Sequence, residues 1–212
     1  MSDSEARLDR ILQTAPVIPV YSPDTVDNAI EVARALVRGG LRVIEVTLRN
    51  AIAMDALRAI ATHVPDAIVG AGTVLTKNQL DEACAAGAKF LVSPGFTPDL
   101  LTAAETTDVP LLPGIATASE LMLGLSAGLR RFKFFPAAPA GGTAMLRAFA
   151  GPFPQVRFCP TGGITPATAP DYLELPNVIC IGGSWLTPAD AIANRDWSRI
   201  EQLARVANAL RA

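Results

Sequence analysis

The sequence predicts an α/β protein in which eight β-α units close into a (β/α)8 TIM barrel, with an extra N-terminal helix ahead of the first unit. Three observations carry this. Short β-branched runs alternate eight times with alanine- and leucine-rich amphipathic segments, the pattern of a parallel sheet built from β-α units. Polar residues gather at the C-terminal ends of many different strands, as around a barrel mouth, rather than at the single switch point of a doubly wound open sheet, which is the alternative topology. Finally, 212 residues suit a compact barrel with few insertions, near the lower end of the roughly 200 to 400 residues usual for it.

Taken in order, the candidate strands are Val17 to Val20, Val43 to Thr47, Ile68 to Gly70, Phe90 to Ser93, Leu111 to Pro113, Arg131 to Phe135, Arg157 to Thr161 and Val178 to Gly182. Helix punctuation agrees with that order. Ser22-Pro23 and Thr97-Pro98 read as an N-cap followed by proline at the first helical position, Thr76-x-x-Gln79 and Thr117-x-x-Glu120 as capping boxes, and Gly39 and Gly87 as helix stops. Further amphipathic helices are expected near Glu5 to Gln13 and Trp197 to Leu210. With no Gly/Ser linker or composition break, residues 1–212 are expected to form one domain.

Composition narrows the function classes. Half the residues are apolar, enough for a well-buried core, and the net charge is −2 with scattered basic residues, so neither nucleic acid nor a membrane surface is an expected partner. The polar start Met1-Ser2-Asp3-Ser4-Glu5 and the lack of a long apolar run predict a cytoplasmic protein acting on a small molecule. Cys84, Cys159 and Cys180 are odd in number and lack zinc-ligand spacing, and His63 is the single histidine. Disulfides and structural zinc are therefore not expected, which leaves a metal held by carboxylates alone as the open alternative.

The sixth candidate strand, Arg131-Phe132-Lys133-Phe134-Phe135, alternates so that Phe132 and Phe134 face the helices while Lys133 enters the barrel. Loss of hydration there disfavours the ammonium and favours the neutral amine that attack on a carbonyl requires, which makes Lys133 a Schiff-base candidate. The alternative is a lysine paired structurally with a buried carboxylate. Of the other lysines, Lys77 falls in the first turn of a surface helix and Lys89 at the mouth of the fourth strand. In the second strand, Glu45, Thr47 and Arg49 share the inner face, so Glu45 is a candidate proton shuttle and Arg49 a fork for a substrate carboxylate; a Glu-Arg pair closing the barrel floor would look the same. Arg131 is expected to close the opposite end of the barrel by pairing. Cys159 and Cys180 are expected to be small core residues, since no histidine is available to activate them.

Two glycine signals, Thr161-Gly162-Gly163 and Gly182-Gly183-Ser184, follow the last two strands, where barrels commonly bind phosphate, with a helix N-terminus expected at Thr165-Pro166. Each alone would be a tight turn; on adjacent strands they read as an anion nest. Thr73 offers a further hydroxyl for the carboxylate, Pro94 a pocket wall, and Phe135 a pocket lining, although Thr73 and Pro94 are equally compatible with ordinary turns.

These residues lie in segments that together resemble bacterial 2-keto-3-deoxy-6-phosphogluconate (KDPG) aldolases, class I enzymes also associated with 4-hydroxy-2-oxoglutarate. The likeness spans nearly the whole chain and is carried by 43–49, 70–74, Ser93-Pro94-Gly95, 132–136, 157–164 and 180–185. It implies cleavage of 2-dehydro-3-deoxy-6-phosphogluconate to pyruvate and glyceraldehyde 3-phosphate by an aldehyde-lyase. Lys133 would form the Schiff base and Glu45 transfer protons. Arg49 and Thr73 would hold the carboxylate, Pro94 and Phe135 line the pocket, and Thr161, Gly162, Gly163, Gly183 and Ser184 bind the phosphate. It also implies a homotrimer with no cofactor and no metal. A related aldolase of different C4 stereopreference, a phosphosugar isomerase or epimerase, and a non-catalytic phosphosugar-binding barrel are the competing readings.

Overall fold

A computed structural model of the chain describes residues 3–210. Met1 and Ser2 of the polar start, and the two outermost residues at each end of the expected 1–212 domain, lie outside the described residues. The order is α1 (Asp3–Leu12), β1 (Val17–Tyr21), α2 (Val26–Arg38), β2 (Val43–Thr47), α3 (Ala53–His63), β3 (Ile68–Gly72), α4 (Lys77–Ala85), β4 (Leu91–Val92), α5 (Pro98–Ala104), β5 (Leu111–Leu112) and β6 (Gly114–Ile115). It continues with α6 (Ala118–Ser126), β7 (Arg131–Phe134), α7 (Gly142–Ala150), β8 (Arg157–Pro160), α8 (Ala169–Leu173), β9 (Ile181–Gly183), α9 (Ala189–Ala193) and α10 (Trp197–Asn208).

Local chemistry sets most boundaries. Helix α2 buries Ala29, Val32, Ala33 and Leu36, one stripe at helical spacing. Thr97 and Thr117 cap α5 and α6 as expected, the latter in a full capping box with Glu120. Thr76 caps α4, but Gln79 reaches back to the amide of Leu75 at 2.8 Å instead of that of Thr76, so only half of that box forms. Two expected helix starts are corrected. Thr25 rather than Ser22 caps α2, and the Ser22 hydroxyl lies 2.6 Å from that of Thr47. Thr165 and Thr168 bond to each other across a turn, which delays α8 to Ala169.

All strand pairings are parallel, in a six-stranded sheet ordered β5-β4-β3-β2-β1-β9 and a three-stranded sheet ordered β6-β7-β8. The fifth expected strand thus divides at Pro113. Proline has no N–H to donate, so Leu111 and Leu112 pair with β4 while Gly114 and Ile115 pair with β7. The eighth expected strand also begins late: Val178 makes only an isolated bridge to Phe158, and Thr161 bridges Gly182. The result is a curled parallel α/β fold.

The core has two layers. Between sheet and helices lie Phe132, Phe134 and Phe158, with Phe134 meeting Phe149 and Phe158 edge to face at centroid distances of 6.2 and 6.4 Å. A second cluster joins Leu8, Ile11 and Leu12 of α1 to strand residues such as Val43, Phe90 and Val92, and includes Cys159 and Cys180 as small packed side chains. Arg131, the first residue of β7, binds Asp9 and approaches Glu5 of α1 at 3.6 Å, so the N-terminal ends of the strands are closed by a helix with a partly buried charge cluster. That leaves the C-terminal ends for chemistry.

Candidate active site

Strand β7 delivers Lys133 because its neighbours, Phe132 and Phe134, are anchored on the helix side. On β2 the same alternation sends Ile44 and Val46 outward and Glu45 inward. The two side chains meet: Lys133 Nζ donates to Glu45 Oε1 at 2.9 Å, and each residue is 4% exposed. The pair thus forms a charged contact taken almost wholly out of water, where its electrostatics are strong and an unpaired partner would be costly. The ammonium also lies 5.2 Å from the centroid of the Phe135 ring, which forms one side of its surroundings.

Arg49 departs from expectation. It lies beyond the end of β2 and is exposed rather than inside the barrel, and its Nε donates to Thr73 Oγ1 at 3.3 Å. Thr73 has φ 62°, left-handed for a β-branched residue and therefore strained. Pro94 follows β4, and its carbonyl packs where a Cβ at Gly114 would stand. Lys77 opens α4 as expected, whereas Lys89 is exposed ahead of β4, at the end away from the mouth.

The two glycine loops come together. Thr161 bridges Gly182 in parallel, and a Cβ at Gly182 would overlap the Thr161 hydroxyl. Gly162 and Gly163 have φ 104° and 76°, conformations glycine adopts freely, and the amides of Ala137 and Ala138 bind the carbonyls of Thr161 and Gly162 at 2.8 and 2.9 Å. Those bonds fix the loop after β7 to the loop after β8. Gly183 is buried and Ser184 exposed at the end of β9, the latter lining a cavity of about 290 Å³ with Tyr21, Ser22 and Thr187. Burial, and then the Asp24 carboxylate, push the Tyr21 phenol well above the ordinary tyrosine range, so this wall stays neutral. A larger cavity, about 430 Å³, lies beside α1 at the opposite end and is lined by Leu8, Leu101 and Arg131, away from Lys133.

Sequence reasoning missed the Ser22–Thr47 hydroxyl pair, because the Ser-Pro sequence suggested a cap, and missed the close approaches at Gly114 and Gly182, where glycines outside turns were the available signal. Among the described residues, no group of three or more His, Cys, Asp or Glu side chains is arranged to hold a metal ion, and no helix is long and apolar enough to cross a membrane.

Residues 8–203 match the profile of the family described as KDPG and KHG aldolase. The KHG/KDPG aldolase of Escherichia coli strain K12 is 57% identical over 207 residues, which covers 98% of this chain and 97% of that protein. A crystal structure of KDPG aldolase from Legionella pneumophila, with pyruvate captured at low pH as a covalent carbinolamine intermediate, is similar with a TM-score of 0.92, 48% identity and coverage of 94% of this chain and 97% of that one. The 2-keto-3-deoxy-6-phosphogluconate aldolase of Zymomonas mobilis ZM4, solved with 3-phosphoglycerate, gives a TM-score of 0.92 and 50% identity over 96% of each chain. With nearly its full length matched, and a buried lysine-glutamate pair on the inner face of the sheet, this chain belongs to the KDPG and KHG aldolase family.

Proposed function

We propose that this protein is a class I aldolase that cleaves 2-dehydro-3-deoxy-6-phosphogluconate to pyruvate and glyceraldehyde 3-phosphate and also acts on 4-hydroxy-2-oxoglutarate. The observation that carries this is the Lys133–Glu45 contact at 2.9 Å, buried inside the curled sheet between β7 and β2. Lys133 attacks C2 of the 2-oxo acid, and loss of water gives the iminium. Glu45, close enough to exchange a proton with Nζ, takes the C4 hydroxyl proton as the C3–C4 bond breaks and its electrons pass to the iminium, forming a neutral enamine. Glyceraldehyde 3-phosphate leaves. Protonation of the enamine at C3, again through Glu45, and hydrolysis of the imine release pyruvate and restore the lysine.

Arg49 and Thr73 bind the substrate carboxylate, since a guanidinium fork and a hydroxyl stand together at the mouth. Pro94 and Phe135 line the pocket. Thr161, Gly162, Gly163, Gly183 and Ser184 bind the phosphate, a role supported by two glycine loops joined at the Thr161–Gly182 bridge. The two sheets form one closed (β/α)8 barrel in residues 1–212, supported by that bridge and by the succession of β5 and β6 across Pro113. The protein works in the cytoplasm as a homotrimer, without cofactor or metal; the exposed Met122 and Leu123 on α6 offer apolar surface for subunit contact.

The test is release of pyruvate from 2-dehydro-3-deoxy-6-phosphogluconate, followed by coupling to lactate dehydrogenase. Turnover lost in Lys133→Ala and retained in Lys77→Ala is expected; equal losses would remove Lys133 from the chemistry.

A further inference from the structure

The Glu45 side chain occupies space that residue 72 leaves by having no side chain. Gly72 ends β3 directly opposite Thr47 in the parallel register, two positions along from the pairing of Gly70 with Glu45. A Cβ built on Gly72 would overlap Glu45 Oε1 and would lie 2.6 and 2.8 Å from Cγ and Cδ of the same side chain. Real Cβ atoms do not approach that closely, so carboxylate and methyl cannot share the space. The backbone of Gly72 is meanwhile held in place, its carbonyl accepting the amide of Leu48 at 2.8 Å, and Thr73 follows in its strained conformation. Glycine interrupts a strand at some entropic cost, and neither a turn nor a positive φ at position 72 requires it.

We propose that Gly72 is a positioning residue for the aldolase reaction. It vacates the volume that the Glu45 carboxylate occupies, and thereby sets the carboxylate against Lys133 Nζ. This rests on the reading of Lys133 and Glu45 as Schiff-base nucleophile and proton carrier. A methyl group at position 72 pushes the carboxylate off the amine, and general acid-base catalysis is sensitive to such displacement, so kcat for Gly72→Ala falls about 10²-fold or more while KM changes little. Lys133 itself is not displaced, so the imine with pyruvate still forms on long incubation.

The test is a double-mutant cycle, with kcat, KM, melting temperature and borohydride trapping of the Lys133–pyruvate adduct measured for the wild type, Gly72→Ala, Glu45→Ala and the double variant. The expected result is strong non-additivity: Gly72→Ala lowers kcat about 10²-fold beside Glu45 and less than threefold beside Ala at position 45, where the clashing atoms are gone. Should Gly72→Ala fail to fold, the melting temperatures of Glu45→Ala and the double variant still decide, since the double variant is expected to fold as well as Glu45→Ala. The same loss of kcat in both backgrounds, or a double variant as unstable as Gly72→Ala, would overturn the positioning role. A wild-type protein that traps no pyruvate would instead overturn the Schiff-base reading on which the proposal rests.

Discussion

Replacing Glu45 with glutamine probes the site at its most informative atom. Glutamine has the same shape, and its amide oxygen can still accept the Lys133 bond that Oε1 accepts at 2.9 Å, so the packing around both residues survives. What is lost is the ability to take and return a proton. General acid-base contributions of about 10² to 10⁴ in rate correspond to about 2.7 to 5.4 kcal/mol of barrier. The loss should appear in kcat and in kcat/KM alike, because Glu45 acts on the breaking bond and not on the bound carboxylate or phosphate. Stability should change less, by about 1 to 3 kcal/mol, since the hydrogen bond and the packing remain and only the opposite charge is lost. Lactate-dehydrogenase-coupled kinetics and a thermal melt measure the two effects separately. A folded Glu45→Gln protein that retains more than a tenth of the wild-type kcat would refute the assignment of Glu45 as proton carrier.

Other expectations follow from the same geometry. Arg131→Ala removes both bonds to Asp9 in a partly buried ion pair at the start of β7, and should destabilise the fold by about 1 to 3 kcal/mol in denaturant unfolding while kcat stays within twofold. Thr73→Gly relieves the φ of 62° at some cost in chain entropy, so stability should move by less than about 1 kcal/mol, whereas loss of the hydroxyl beside Arg49 should raise KM; an unchanged KM would remove Thr73 from the carboxylate site. Glu120→Gln disturbs the box on α6. Partial burial opposes ionisation of Glu120, but bonds from the amide of Ala116 and from Thr117 outweigh it and hold the carboxyl below its ordinary value of 4.5. Its contribution, about 0.3 to 0.5 kcal/mol at so exposed a site, is complete above pH 4.5 and is lost as pH falls through the depressed folded value, so the melting temperatures of variant and wild type should converge in acid.

Where one local rule governed, the sequence was legible. Alternation alone placed Phe132 and Phe134 outside and Lys133 inside, and put Glu45 on the inner face of β2. Thr97 and Thr117 were readable because a cap needs only a hydroxyl and an amide three residues on. Position along a strand was harder: Arg49 shares the parity of Glu45, yet lies beyond the last rung of β2 and turns to solvent, since alternation says nothing of where a strand ends. Ser22 and Thr165 misled because a hydroxyl before proline serves a tertiary bond or a free-standing turn as well as a helix. The meeting of Lys133 with Glu45, 88 residues apart in sequence, and the space that Gly72 leaves for it, depend on sheet curvature and register, which a linear pattern does not encode.

Everything proposed for the site depends on a covalent bond between Lys133 and the 2-oxo acid. Treating the protein with pyruvate and borohydride, then measuring intact and peptide masses, tests it directly, because borohydride reduces an imine to a stable secondary amine. The expected result is a single pyruvyl adduct confined to the peptide that contains Lys133. Folded protein with no adduct, or with the adduct on Lys77 or Lys89, would contradict it.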